Sequence, residues 1–170
     1  MKRTLILAIG LAGALAATAA MAQSKPDKES QSFIKTAIQA NYAEIDVGKL
    51  AQEKGTTQAV KDYGKMLVED HTANNEKAKA VAQKLDVSPP SGASTMEKAT
   101  YLKLKVLSGK SFDSAFAKAM VSDHQADIKE FQKQAGKSDA AASYAKDTLP
   151  ALQKHLSEAQ SLQQQTTGSK

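Results

Sequence analysis

The chain has 170 residues, no cysteine, no tryptophan and a formal net charge of +5. Without cysteine there is no disulfide framework, no thiolate metal site and no thiol catalysis. Arg3 is the only arginine and the lysines are interleaved with acids, so the guanidinium that reads guanine edges and grips phosphate is missing, and no nucleic-acid partner is expected.

Residues 1–22 read as a secretory signal peptide. Lys2 and Arg3 open it, Leu5 to Ala17 is apolar, and Ala20-Met21-Ala22 is a small-x-small motif. Cleavage is expected after Ala22 and the periplasm is the expected location. The apolar run is shorter than the roughly 20 residues a membrane-spanning helix needs. With no cysteine near the cleavage motif, a lipid anchor has no attachment point. Lys2 and Arg3 account for two of the 23 basic residues, which leaves 21 against 18 acidic ones downstream, a solvated-surface balance. Residues 23–29 are polar and expected to be loose, 30–165 are expected to form one bundle domain, and 166–170 are expected to fray.

From Ser30 to Lys54 apolar residues recur at helical spacing: Phe33, Ala37, Ala40, Val47 and Ala51 share a stripe with Glu44, and Ile34, Ile38 and Ile45 widen it. Gly55 ends this helix, and Thr56 or Thr57 is the expected cap of the next. The second helix is predicted over 58–85, with Val60, Gly64, Leu67, His71, Asn74, Ala78, Val81 and Leu85 on one stripe. Pro89, Pro90 and Gly92 then break the chain. A shorter helix is predicted over 96–107. The third long helix, 111–135, carries Phe112, Phe116, Met120, His124, Ile128, Phe131 and Ala135. Ser138 or Asp139 should cap the fourth, 140–165, whose stripe is Ala145, Thr148, Leu152, His155, Ala159 and Leu162. Pro150 is expected to kink that helix or to start a new segment. No strand pattern is present, and the alternating strands of an outer-membrane barrel are missing. The fold class that follows is all-α: an up-down four-helix bundle, with a longer linker and a short extra helix between helices 2 and 3.

Each stripe carries one ionisable residue: Glu44, His71, His124 and His155. A buried charge is costly, so each must be neutralised, hydrogen-bonded, solvated or bound to a metal ion. Imidazole and carboxylate ligands from four helices of a bundle can build a site for zinc, copper or iron. Asp70 and Asp123 each precede a histidine in a Val-x-Asp-His phrase, and Glu158 follows His155 by three residues. These three acids are placed to orient the ligating imidazoles. Met66 and Met120 read as core rather than as copper ligands. No zincin spacing, nucleophile elbow or glycine-rich phosphate loop is present.

The segments "NYAEIDVGKLAQEK", "MLVEDHTANNEKAKAVAQKL", "LSGKSFDSAFAKAMVSDHQADIKEF" and "DTLPALQKHLSEAQSL" resemble a family of secreted bacterial proteins, domain of unknown function 4142. The resemblance runs over about residues 30–163. It implies a ferritin-like bundle in the cell envelope and carries no established activity. Its common label, "predicted outer membrane protein", finds no support in these residues. The resemblance to ferritin-like folds also invites comparison with di-iron bundles, which use a Glu from each of two helices and Glu-x-x-His from the other two. Here helices 2 and 3 carry Asp-His, and helix 4 carries His155-x-x-Glu158, the reverse order. A redox enzyme is the reading these residues favour least. Two others stand: a non-catalytic metal-binding bundle, or a structural or stress-related envelope protein whose His/Asp/Glu layer serves packing. Oligomeric state is not written in the sequence.

Overall fold

The computed structural model describes residues 27–167, so the expected signal peptide and its cleavage site lie outside the described residues, as do 23–26 and 168–170. Among the described residues there are five helices and no strand: α1 (Lys28–Lys54), α2 (Gln58–Lys84), α3 (Lys98–Lys105), α4 (Gly109–Ala135) and α5 (Ala140–Thr167).

Side-chain caps set most of the boundaries, because the first N–H groups of a helix have no internal partner. Asp27 accepts from the Glu29 N–H at 3.0 Å, which starts α1 two residues ahead of the expected Ser30. Thr57 caps α2 through the Val60 N–H, and Asp139 caps α5 through the Ala142 N–H at 2.8 Å. Thr56, the other candidate for the α2 cap, is used differently. Its backbone N–H reaches Asp113 Oδ1 at 3.0 Å, and its hydroxyl donates to Asp113 Oδ2. This ties the α1–α2 turn to the first turn of α4. At the end of α2, Asp86 takes a left-handed φ of 55° while the Val87 N–H returns to the Ala82 carbonyl, the arrangement that stops a helix. In the linker, Ser94 and Glu97 bond each other's N–H groups reciprocally and nucleate α3.

Helix α5 does not restart at Pro150; the helical run continues through it. Pro150 and Lys146, whose carbonyl loses its partner there, are both exposed, so water replaces the missing bond. The helix also continues through Thr167, past the point where fraying was expected.

Contacts between helices fix their directions. Gln31 bonds the Leu85 carbonyl and Asn41 bonds His71, so α1 and α2 are antiparallel. Phe131 packs on Tyr144 while His124 meets His155, so α4 and α5 are antiparallel too. Ser30 and Phe33 at the start of α1 meet Gln134 and Phe131 at the end of α4, so those two are antiparallel as well. It follows that α4 runs parallel to α2, and the segment between them travels the length of the bundle. Leu104 of α3 is buried on the way. Lys54 anchors the segment's far end by donating to the Lys105 and Leu107 carbonyls.

The α1–α2 pair comes into close backbone contact at two glycines. A Cβ added to Gly48 would stand 2.7 Å from the Gly64 carbonyl oxygen, and one added to Gly64 would stand 2.6 Å from that of Gly48. No side chain fits there, so backbone meets backbone.

Two apolar clusters fill the bundle. One gathers Val47, Leu50, Val60, Tyr63, Leu67, Phe112, Phe116, Met120 and Leu162. The other gathers Ile34, Ile38, Ala78, Ala82, Phe131, Tyr144 and Leu152. Between them the helices present polar residues.

Candidate metal centre

That polar layer is built around His71 on α2, His124 on α4 and His155 on α5, which are 3 %, 0 % and 1 % exposed. Apolar clusters lie on either side of the layer. The ring centroids are 5.3 Å apart for His71–His155 and His124–His155, and 5.9 Å for His71–His124. One ring nitrogen from each histidine lies within 4.8 Å of the other two.

The hydrogen bonds assign the protons. His71 Nδ1 donates to Asn41 Oδ1 at 2.9 Å, since an amide oxygen only accepts. Nε2 of His71 is then the lone-pair nitrogen, and it is buried without a partner. His124 Nδ1 donates to the Met120 carbonyl at 3.0 Å, leaving its Nε2 as an acceptor. His155 Nε2 donates to Asp70 Oδ2 at 2.8 Å, and its Nδ1 faces His124 Nε2 at 3.3 Å. So each imidazole is held from outside by an oxygen and turns its other nitrogen toward the other two rings.

Asn41 is itself fixed. Asn74 Nδ2 donates to Asn41 Oδ1 at 3.2 Å and to the Tyr144 hydroxyl at 2.8 Å, while Thr148 donates to Asn74 Oδ1. This network crosses α1, α2 and α5 and prevents the His71 ring from turning.

Burial disfavours charge on these rings. It pushes His71 well below the ordinary histidine value, helped by the neighbouring His124 and His155. It lowers His124 to about 4, again with His155 contributing. Both are therefore neutral near pH 7, with lone pairs available.

The acids expected at the site take different places. Asp70 does orient an imidazole, His155 on a neighbouring helix. Asp123 makes no hydrogen bond to a histidine; burial raises its carboxyl while Lys103 pulls it back. Glu158 lies near Lys154 at 3.7 Å instead of bonding His155. Glu44, expected as the fourth ligand, is buried at 6 % exposure but is not among the atoms that converge within 4.8 Å. Its Oε2 has no hydrogen-bond partner. Burial raises its carboxyl well above the ordinary value, and the charges of Asp127 and Asp123 add to this. Asp127, one turn beyond Asp123, is itself pushed up to about 7 by burial, with Asp123 contributing. Glu44 therefore feels the charges of Asp127 and Asp123 on α4. The oxygens that hold His71 and His124, Asn41 and the Met120 carbonyl, were not expected from the sequence. Asn41 lies on the Ile34, Ile38 and Ile45 stripe, and a polar residue at that spacing is the available signal.

The donor set suits a metal ion. Two nitrogens bound at about 2.0–2.1 Å to a tetrahedral ion stand about 3.3–3.4 Å apart. His124 Nε2 and His155 Nδ1 are already 3.3 Å apart.

An all-helical bundle with a buried cluster of three histidines is the class of protein these observations define. The chain belongs to the family described as domain of unknown function DUF4142, which matches residues 15–162. Its fold is similar to the crystal structure of a DUF305 fragment from Deinococcus radiodurans, with a TM-score of 0.73 at 11 % identity over 82 % of this chain and 98 % of that one. That likeness is one of fold alone. No curated protein matches the chain.

Proposed function

We propose that this protein is a ferritin-like four-helix bundle of the periplasm that binds a divalent transition-metal ion, zinc or copper, through His71, His124 and His155. The observation that carries the reading is the direction of the six ring nitrogens. Three donate outward to Asn41 Oδ1, the Met120 carbonyl and Asp70 Oδ2, and three turn inward toward one another. Imidazoles that ligate a metal ion characteristically donate their other N–H to such an oxygen, which fixes tautomer and ring angle. Lone pairs facing each other in a dry layer repel unless a cation or a proton sits among them. Three imidazoles without thiolate favour zinc or copper among the common ions. With three imidazoles converging, and Asp70 bonded to the far side of His155, the set lacks the bridging carboxylates of a di-iron oxidase, which supports binding rather than redox catalysis. The periplasmic placement rests on the signal peptide read at 1–22.

One observation favours a second reading. The His155–Asp70 pair at 2.8 Å has the geometry of an ion pair. A proton on His155 Nδ1, donated to His124 Nε2, would satisfy that pair of nitrogens without metal and leave a packing layer. Metal analysis separates the two. The chain, purified without a histidine tag and equilibrated with zinc or copper, should carry one ion per chain, and the His71→Ala/His124→Ala variant should carry none. Equal metal content in both proteins rules out the three-histidine centre.

A further inference from the structure

Helix α3 is held to the bundle by one face. Leu104 is buried there, and Tyr101 and Leu107, three residues to either side, pack against the same apolar cluster. Lys54 fastens the far end through the Lys105 and Leu107 carbonyls. The opposite face is apolar as well. Among the described residues, the large apolar side chains that stand out into solvent all belong to it: Met96, Leu102 and Val106 are 86 %, 60 % and 82 % exposed. The Lys98 N–H bonds the Ser94 carbonyl and the Ala99 N–H bonds the Met96 carbonyl, so the turn around Met96 leads directly into the helix. Met96, Ala99, Leu102 and Val106 follow one another at intervals of three, three and four residues, which sets them on one stripe. A contiguous apolar stripe turned to water, on a helix whose other side is already packed, marks a contact surface.

Charge decides the occupant. Between Ser94 and Lys110 the chain has four lysines, Lys98, Lys103, Lys105 and Lys110, and a single acid, Glu97. All four lysines are exposed. At about 100° per residue, Lys98 and Lys105 border the stripe on one side and Lys103 borders it on the other. Glu97 falls on the inward side, where its carboxylate accepts the Ser94 N–H at 2.8 Å. Further acids near α3 lie on its flanks: Asp46 and Glu53 of α1 line the groove beside it, and Asp123 of α4 feels the charge of Lys103. We propose that the outward face of α3 docks on an anionic phospholipid surface. Met96, Leu102 and Val106 enter the boundary between headgroups and acyl chains, and the flanking lysines meet the phosphates. Helices that lie in a membrane surface have this make-up, an apolar stripe edged with lysines whose stems run along it. No helix among the described residues is long and apolar enough to cross a bilayer, so the contact is peripheral. A second copy of the chain fits the stripe poorly, because a two-fold arrangement sets these lysines against their own duplicates. The inference does not depend on the three-histidine centre, which lies inside the bundle.

The test is cosedimentation of the chain, as processed by the cell, with vesicles at about 0.1 M salt. One set of vesicles is phosphatidylcholine and the other is phosphatidylcholine with one-third phosphatidylglycerol. The chain should bind the anionic vesicles at least about tenfold more tightly than the neutral ones, and less tightly as salt rises. Leu102→Ser/Val106→Ser should abolish that binding. Lys103→Gln/Lys105→Gln, which keeps the stripe, should weaken it about tenfold. Lys77→Gln/Lys84→Gln, on α2, should leave it within about twofold. All six positions are exposed, so each variant should keep the melting temperature of the unaltered protein. Every variant has the same N-terminus, so any contribution from the apolar run at 5–17 is common to all. Equal affinity for the two kinds of vesicle, or no binding to either, overturns the proposal. Equal affinity of the unaltered and Leu102→Ser/Val106→Ser proteins for anionic vesicles overturns it too. A dimer seen by sedimentation without lipid, and lost in Leu102→Ser/Val106→Ser, gives the stripe to a second copy and overturns the lipid contact.

Discussion

The phrases Val68–His71 and Val121–His124 differ in a single residue, Glu69 against Ser122, yet they are used in different ways. Both histidines turn into the core. Their preceding aspartates do not share a fate: Asp70 faces α5 and bonds His155, while Asp123 faces the side where Glu44 and Asp127 sit. The cause is position in the bundle. A residue one step earlier on a helix points about 100° away from its successor. For α2 that offset reaches the neighbour that carries the third histidine, and for α4 it reaches the acids. The lesson is that a repeated motif specifies which face a side chain takes, and the neighbouring helix then decides what that side chain does.

The largest expected effect removes what the two phrases have in common. His71→Ala and His124→Ala, each alone, should reduce copper or zinc binding to background in a competition titration with a chromophoric chelator. Retention of nanomolar binding in one of them would show that the two histidines are not equivalent ligands. Next come the aspartates, where the phrases part. Asp70→Ala frees His155 Nε2 and should weaken metal binding about 10–100-fold, the usual cost of losing the group that orients a ligating imidazole. Asp123→Ala should change affinity less than about twofold, because the residue holds no imidazole. Similar losses in both would erase the distinction.

A smaller effect separates the two sides of the layer by pH. His71 and His124 have folded values below the unfolded one, so their contribution to stability is full above about pH 6.5 and drains away as pH falls toward 4. Asp127 and Glu44 have raised values, so their contribution is full below about pH 4 and is lost as pH rises, through about 7 for Asp127. With both acids made neutral (Glu44→Gln/Asp127→Asn), the metal-free protein should melt at least ~5 °C lower at pH 5 than at pH 7. Asp127→Asn should raise the melting temperature at pH 8 and leave it nearly unchanged at pH 4. A flat profile in the metal-free Glu44→Gln/Asp127→Asn protein would mean that the imidazoles are not buried as neutral rings.

Much of this arrangement was legible in the residues themselves. The helical stripes placed His71, His124 and His155 inside, and all three are buried. Periodicity alone could do this because three- and four-residue spacing fixes a face. It could not fix which layer of one helix meets which layer of the next. Glu44 and Asn41 both point inward on α1, less than one turn apart, and their order along the axis decides which reaches His71. That order depends on how far α1 slides along α2, which no stripe records. The Met120 carbonyl was also illegible, since every residue carries one and only the geometry of the His124 rotamer selects it. On α2 the sequence placed Asn74 on the stripe. The helix instead buries Asn75 more deeply and keeps Asn74 half-buried at the edge, where it reaches across to Tyr144 and Thr148.

The slide of α1 along α2 returns attention to Gly48 and Gly64. Gly48 follows Asn41 by the same interval at which Gly64 precedes His71, so the glycine contact and the asparagine–histidine bond occupy successive rungs of one antiparallel ladder. The ladder has no slack. A methyl group at either glycine would meet a carbonyl oxygen well inside contact distance, and relief would come only by parting the helices or sliding them past each other. Either movement is delivered two turns away, where the Asn41–His71 bond has only tenths of an ångström to spare. The aim of an imidazole in the middle of this bundle is thus kept true by the absence of two methyl groups that lie outside the site.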